Sequence, residues 1–397
     1  MILLCLGLVV LAFAVSLPSV IVARRIGLKA GALDAAGVEG QVKAPSRKIP
    51  NTGGISIFLG IAFPMVFGLV VALLWNTTSD ADTQGAVSDA ISVHAAGMRQ
   101  QIPMATALLL GLVSLHVLGL IDDRKPLGPK IKLFAMGVAA LVLIWPPMGM
   151  YDSTRLLTLL DARAGGMWLS ILITLVWFLV VTNAMNFMDN MDGLSGGVAA
   201  IASSCFLVAA ILNGQWFIAM TLALMVGACL GFLVLNFPPA KIFMGDGGSL
   251  VLGFLLAFLT SRTTYIAPIE DGVTSASPWY AVLMPIVVLA VPLYDFVSVC
   301  IIRLRQGRSP FVGDLQHFSH RLVRRGLSRR GAVLVIYCLT LCTGISGILL
   351  TRANSTSAIL IGMQVVVMLA ILAIFESRAR HTLDETDPLH PNYSKPA

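Results

Sequence analysis

Long runs of apolar residues recur along the chain and exclude a soluble fold. Each run is about 20 residues long, which is enough for a helix to cross a hydrocarbon core of roughly 30 Å. The composition agrees, because 57% of the 397 residues are hydrophobic, 12% are charged and the mean hydropathy is +0.87. We therefore predict eleven membrane helices. The runs begin near Ile2, Gly54, Ile102, Ile131, Met167, Gly197, Trp216, Ser249, Pro278, Gly331 and Ser357.

The positive charges predict the orientation of these helices. Most of the 27 Lys and Arg residues fall in every second connection, and short connections rich in these residues stay in the cytoplasm. Eleven helices then place the N-terminus outside and the C-terminus inside. The first run is not expected to be a signal peptide, because its positive charges follow the apolar stretch. The prediction is an all-α polytopic membrane domain over 1–375 and a polar cytoplasmic tail over 376–397.

The net charge and the cysteines indicate which binding partners to expect. We attribute the formal net charge of +7 to orientation and to contact with the lipid bilayer, because no nucleic-acid-binding motif accompanies it. All six cysteines lie within predicted helices and form no CxxC pair. They are therefore expected to be small core residues and not metal ligands or disulfide partners.

A polar segment over 183–197 follows the fifth apolar run. Asn183, Asn186, Asp189 and Asp192 recur every three residues, so on a helix they form one polar face. Such groups at the end of a membrane helix cost several kcal/mol unless they have a partner or a function. A solvated helix end is the alternative, but the number of short acceptors favours a ligand or metal site.

Carboxylates from five segments map to the predicted cytoplasmic side. They are Asp122, Asp123, Asp189, Asp192, Asp246, Asp295 and Asp314. Their placement predicts a single anionic cleft at the cytoplasmic boundary. Carboxylate oxygens are the ligands that hard divalent cations prefer, so the cleft is expected to attract one.

Two of these segments allow more than one interpretation. Asp122 and Asp123 point about 100° apart on a helix, so one can face a metal or nucleophile while the other contacts a neighbouring helix. Lys130 and Lys132 follow and could bind phosphate or anchor the chain to lipid headgroups. Asp246 lies in a glycine-rich segment before a helix, where it could hold Mg²⁺ or serve as a plain N-cap.

The last cytoplasmic loop is rich in arginine and histidine. Eight arginines occur from Arg303 to Arg330, and their guanidinium groups suit phosphate oxygens. His317 and His320 could donate hydrogen bonds or move protons. A zinc site is not expected, because further nitrogen or sulfur ligands are lacking nearby.

Five motifs follow one another over most of the chain. They are Lys48-Ile-Pro-Asn-Thr-Gly-Gly54, Ile121-Asp-Asp123, Asn183-Ala-x-Asn-x-x-Asp-x-x-Asp-Gly-Leu194, Phe243-Met-Gly-Asp-x-Gly-Ser249 and Ser309-Pro-Phe-x-x-Asp-x-x-His317. In this order they resemble the motifs of the polyprenyl-phosphate N-acetylhexosamine-1-phosphate transferase family. The Ser-Pro-Phe and Asp-x-x-His pattern is similar to the branch of that family that uses UDP-N-acetylglucosamine.

The resemblance implies that a polyprenyl phosphate attacks the sugar-bearing phosphorus of a UDP-sugar and releases UMP. It implies Mg²⁺, with Mn²⁺ as the alternative, on Asp246 and Asn186, and catalytic roles for Asp122, Asp123 and Asp189. A homodimer is left open beside a monomer. The implied substrate-binding residues are Lys48, Lys132, Asn186, Asp192, Arg303, His317 and His320.

The chain departs from the family pattern at two positions. Where relatives often carry His-x-His-His, Ser319 replaces one histidine, and a neutral hydroxyl cannot supply an imidazolium. Where many carry Asp-Gly-x-Asp-Gly, Asn190 replaces the first glycine but keeps hydrogen-bonding capacity and tolerates unusual backbone angles. Two rival functions stay open. A muramyl-pentapeptide transferase would need a different loop over 303–322, and an ion-coupled transporter would spread its acids towards the midplane.

Overall fold

The computed structural model describes residues 1–33, 48–74, 86–145, 154–156, 166–263, 283–311 and 313–377. Within these ranges the regular elements are helices, and eight of them are long and apolar enough to cross a membrane. The prediction of an all-α, multi-pass membrane protein is thereby confirmed. The helices are α1 (Ile2–Lys29), α2 (Gly54–Leu74), α3 (Ala86–Asp122), α4 (Pro129–Ile144), α5 (Trp168–Met188), α6 (Leu194–Leu212), α7 (Trp216–Asn236), α8 (Asp246–Arg262), α9 (Leu283–Val288), α10 (Ala290–Arg305), α11 (Phe318–Arg324), α12 (Arg329–Leu350) and α13 (Ser355–Ser377).

Three of the eleven predicted runs form helices that are shorter than a simple span. The helix α4 has 16 residues and α8 has 17, while the run predicted near Pro278 is divided at Leu289 into α9 and α10. The count of eleven spans therefore stays a prediction. The predicted cytoplasmic tail lies outside the described residues beyond Ser377.

The helix α8 is the centre of the bundle. Every residue from Gly247 to Ser261 is buried, and α8 packs against α2, α3 and α5. The first turn of α8 is held especially closely. A Cβ atom added to Gly54 would lie 2.3 Å from the amide nitrogen of Gly248, and one added to Gly119 would lie 2.4 Å from that of Gly247. Glycine at these two positions lets α2 and α3 touch the backbone of α8.

The outermost helix is α13, whose apolar window is only 11% buried. Its last turn is anchored through Glu376, which accepts hydrogen bonds from Tyr294 of α10 at 2.9 Å and from Arg321 of α11 at 3.1 Å. The exposed face of α13 is apolar, as expected for a helix that contacts lipid. The anchored end connects the edge of the bundle to the loop that carries His317 and His320 (the histidine loop).

Candidate active site

Three helix ends bring the predicted carboxylates together. Asp122 ends α3, Asp189 follows the last residue of α5, and Asp246 begins α8. Because α8 packs against both α3 and α5, its N-terminus meets their C-termini at one end of the bundle. The convergence that the sequence predicted for these acids is thus present in the fold.

Asp123 caps the N-terminus of α8 from a distant part of the chain. Its Oδ1 accepts a hydrogen bond from the amide of Asp246 at 2.9 Å, and its Oδ2 accepts one from Gly247 at 3.2 Å. The first amides of a helix lack partners within that helix, and Gly245 before it offers no side chain. Asn51 also donates to Asp123 Oδ1, at 2.9 Å. Asp123 therefore fixes the place where Asp246 begins the helix.

Lys132 joins two of the other carboxylates. Its Nζ donates to Asp122 Oδ2 at 2.9 Å and to Asp246 Oδ2 at 2.8 Å. Asp122 is also held by the amide of Leu127, at 2.8 Å. The side chains of Lys132 and Asp246 remain 24% and 22% exposed, so an anionic ligand can reach the ammonium group without unfolding the site.

Asn186 completes the contacts of Asp246. Its Nδ2 donates to Asp246 Oδ1 and to Ser249 Oγ, both at 2.9 Å. Both bonds use the amide nitrogen, which directs the Asn186 side chain towards α8. The amide oxygen is a suitable neutral ligand for a hard cation.

Burial and neighbouring negative charges raise the pKa values of two carboxyl groups near the N-terminus of α8. Burial, and next the charge of Asp246, raises the pKa of Asp123 to about 7, although the amides of Asp246 and Gly247 act in the opposite direction. Burial also raises the pKa of Asp189 well above its usual value, and the charges of Asp246 and Asp123 add to the effect. Carboxylates that repel one another in this way favour a cation between them.

The oxygen donors beside Lys132 are of the kind that Mg²⁺ binds. Across the described ranges, no group of three or more His, Cys, Asp or Glu side chains is arranged to hold a metal ion. Mg²⁺ does not need such a group, because it is commonly bound by one or two carboxylates together with substrate phosphates and waters. Asp246 and Asn186 supply oxygen atoms of that kind, beside the ammonium that now neutralises Asp246.

The predicted histidine loop forms a second polar cluster. His317 Nδ1 lies 2.9 Å from Asp295 Oδ2, and Asp295 Oδ1 accepts the amide of Phe318 at 2.6 Å. His320 is partly buried, and burial followed by the charges of His317 and Arg324 lowers its pKa to about 4. His320 is therefore neutral near pH 7, so one of its ring nitrogens can donate a hydrogen bond and the other can accept one.

Three predicted substrate-binding residues have other surroundings. Arg303 is 1% exposed, and its guanidinium donates to Asp314 Oδ1 at 3.0 Å and to Pro310 O at 2.6 Å. Asp192 is 7% exposed and accepts the amide of Ala240 at 2.9 Å. Both side chains hold loops in place through these hydrogen bonds. Lys48 is exposed, and the substrate contacts expected of all three stay predictions.

Two residues at the site were not singled out from the sequence. Asn51 contacts Asp123, and it lies inside the motif that begins at Lys48. His116 of α3 places Nδ1 2.7 Å from Gly247 O and stacks on Phe58, with ring centroids 4.3 Å apart. An ionisable residue inside an apolar run signals a function or a buried partner, so His116 was recognisable in principle.

The fold and this site define a class: a multi-pass helical membrane protein with an acidic, lysine-containing centre where helix ends meet. Known proteins then identify the family. The model for "Glycosyl transferase family 4" matches residues 105–264, which include Asp122, Asp123, Asp189 and Asp246.

Curated relatives match far more of the chain. The probable undecaprenyl-phosphate N-acetylglucosaminyl 1-phosphate transferase of Bacillus subtilis is 30% identical over 370 residues, covering 92% of this chain and 91% of the relative. The decaprenyl-phosphate N-acetylglucosaminephosphotransferase of Mycobacterium tuberculosis (strain ATCC 25618 / H37Rv) is 33% identical over 81% of this chain and 78% of its own length. The undecaprenyl-phosphate alpha-N-acetylglucosaminyl 1-phosphate transferase of Escherichia coli O157:H7 is 28% identical over 79% and 75%. The chain belongs to glycosyl transferase family 4, and its resemblance to the polyprenyl-phosphate N-acetylhexosamine-1-phosphate transferases is confirmed.

Proposed function

We propose that this protein transfers N-acetylglucosamine-1-phosphate from UDP-N-acetylglucosamine to a polyprenyl phosphate and releases UMP. The observation that carries the proposal is the meeting of Asp122, Asp189 and Asp246 with Lys132 at three helix ends. Phosphoryl transfer depends mainly on positioning and on positive charge around the phosphate oxygens. The relatives' names give the transferred group and the polyprenyl phosphate acceptor. The charged groups of the site could hold the phosphates of both substrates.

Asp246 and Asn186 are the proposed ligands of Mg²⁺, with Mn²⁺ as the alternative. When bound, the cation neutralises charge on the diphosphate oxygens. Lys132 contributes a second positive charge from its position between Asp122 and Asp246. Asn186 orients the Asp246 carboxylate through its bond to Oδ1. Asp189 is proposed to contact the nucleotide beside them.

The lipid phosphate serves as the nucleophile without a strong base. A phosphate monoester has a second pKa of about 6, so it is largely dianionic near pH 7. One of its oxygens forms a bond to the sugar-bearing phosphorus, and the bond from that phosphorus to the bridging oxygen breaks. The electron pair of that bond leaves with UMP. Asp122, which is held by Lys132 and by the amide of Leu127, is proposed to orient the acceptor.

We further propose that the site faces the cytoplasm of a cell whose inner, or plasma, membrane holds eleven helices of this chain. The support is the bias of Lys and Arg towards the connections that carry the site, which is typical of cytoplasmic loops. A cytoplasmic site has direct access to soluble UDP-sugars. The histidine loop, with His317 and His320, is proposed to contact the sugar or its phosphate.

A donor panel tests this function. Purified protein in detergent is given undecaprenyl phosphate, Mg²⁺ and one of several UDP-sugars, and both the released nucleotide and the mass of the lipid product are measured. The proposal requires UMP release and a lipid bearing N-acetylglucosamine-1-phosphate. Product from UDP-N-acetylmuramoyl-pentapeptide alone would support the muramyl-pentapeptide branch. Release with none of the donors would contradict a transferase and favour an ion-coupled transporter, although its acids would then be expected nearer the midplane.

A further inference from the structure

The two residues that depart from the family pattern contact each other. Ser319 Oγ donates a hydrogen bond to Asn190 Oδ1, although 129 residues separate them in the chain. Asn190 Nδ2 in turn donates to Phe187 O at 2.6 Å. Both ends of the Asn190 amide are therefore used, which fixes the orientation of its side chain.

The bond joins the two halves of the site. Asn190 lies in the turn between α5 and α6, directly after Asp189. Ser319 is in α11 between His317 and His320, and it is only 1% exposed. A hydrogen bond at this place links the turn that carries a carboxylate to the loop that carries both imidazoles.

Aromatic contacts support the same junction. The ring of Phe187, one turn before Asn190, meets His317 edge to face with centroids 5.5 Å apart. The guanidinium carbon of Arg303 lies 5.1 Å from the centroid of that ring. A displacement of the histidine loop would therefore break polar and aromatic contacts together, so the junction favours one relative position of the two halves.

The sizes of the two side chains explain how they replace the family residues. Asn and Ser together carry as many non-hydrogen side-chain atoms as the single histidine of the family pattern, whose partner position is glycine. The Asn190 amide reaches the Ser319 hydroxyl directly. Loss of Asn190 removes the partner of the buried Ser319 hydroxyl, which is unfavourable.

We propose that Asn190 and Ser319 are a coupled pair of positioning residues that hold Asp189 and the histidine loop at the spacing needed to bind the UDP-sugar. Each departure from the family pattern compensates for the other. This inference rests on the proposed function, because its readout is the transferase reaction. Turnover by the wild-type protein tests that function separately from the pair.

An alanine cycle tests the coupling. Asn190→Ala and Ser319→Ala are each expected to raise the KM for UDP-N-acetylglucosamine about tenfold, the effect of losing one buried hydrogen bond. The double variant is expected to lose no more than the worse single variant. KM does not depend on the fraction of folded enzyme, so a general loss of structure would lower the apparent kcat instead. The proposal would be overturned if the KM of the double variant rose by the product of the two single effects, or if both single variants kept the wild-type KM.

An exchange towards the family pattern gives an independent test. Asn190→Gly and Ser319→His are each expected to impair the enzyme, while the double variant returns to within about threefold of the wild-type KM, as expected for coupled neighbours. Ser204→Ala is the control, because Ser204 is half-buried and its hydroxyl donates within its own helix, to Ala200 O at 2.8 Å. A double variant no better than its single parents would contradict mutual compensation.

Discussion

The carboxylate of Asp123 accepts hydrogen bonds from the backbone amides of both Asp246 and Gly247, at 2.9 and 3.2 Å. A residue at the end of one membrane helix thus caps the beginning of another. The cap places Asp246 within reach of Lys132 and Asn186. Asp123 supports the site through the backbone of α8, and the catalytic role that the resemblance implied for it stays a prediction.

Removal of this cap should destabilise the protein. We expect Asp123→Ala to lower the free energy of unfolding by about 1–2 kcal/mol, the usual effect of losing an N-cap, and to lower activity by displacing Asp246. Asp123→Asn keeps one acceptor oxygen and should lose less. Thermal unfolding in detergent measures the loss of stability in both variants. An unchanged melting temperature in Asp123→Ala would show that the cap does not stabilise α8.

Stability without a divalent cation should fall as the pH rises through 7. The pKa of Asp123 is about 7 in the folded protein, against an ordinary value of 3.8, so the folded state binds the proton more tightly. That stabilisation is fully present below pH 3.8 and is lost above pH 7. Mg²⁺ should therefore raise the melting temperature more at pH 8 than at pH 5. Asp123→Asn should reduce the difference, and an equal Mg²⁺ effect at both pH values would contradict this explanation.

Lys132 should be needed for turnover, while its neighbour Lys130 should not. Lys132→Gln removes the charge that joins Asp122 and Asp246. We expect kcat to fall roughly 100-fold, as for other losses of electrostatic stabilisation of a transition state. Lys130 is exposed on the same helix, so Lys130→Gln is the matched control and should stay near the wild-type rate. Equal effects of the two substitutions on UMP release would mean that Lys132 has no special role.

Close packing at the first turn of α8 should make Gly119 intolerant of alanine. The added Cβ would lie 2.4 Å from the amide nitrogen of Gly247, so we expect a loss of about 1–3 kcal/mol in the free energy of unfolding from overpacking. Gly137 of α4 is the control, because a Cβ there has nothing described within 4 Å. Gly137→Ala should be neutral or slightly stabilising. Similar melting temperatures for the two variants would contradict the observed packing.

The sequence predicted the apolar helices, and it placed the acids at helix ends; the side of the membrane on which they lie stays a prediction. Apolar runs and the bias of positive charge act over one segment at a time, so they identify spans such as 216–236 without knowledge of their neighbours. The meeting of Asp122, Asp189 and Asp246 also followed, because all three were assigned to the same side. The division of the ninth run at Leu289 did not, since Val288 and Ala290 on either side of it are as apolar as Leu289 itself.

The roles of individual side chains depended on distances that a sequence does not contain. Asp123 caps α8 and Arg303 braces its own loop, yet each residue type is equally suited to phosphate or metal chemistry. The two departures, Asn190 and Ser319, were recognised singly, but their contact required the fold. Sequence patterns therefore predicted which residues lie close together better than the role of each one.

Release of UMP as a function of Mg²⁺ concentration, compared between the wild-type protein and Asp246→Asn, tests the central claim most directly. Asp246 is the residue that Lys132, Asn186 and the cap from Asp123 all position. The account predicts Mg²⁺-dependent release of UMP from UDP-N-acetylglucosamine and undecaprenyl phosphate by the wild-type protein, and none above background by the variant. Near-normal turnover by a folded Asp246→Asn protein would contradict it.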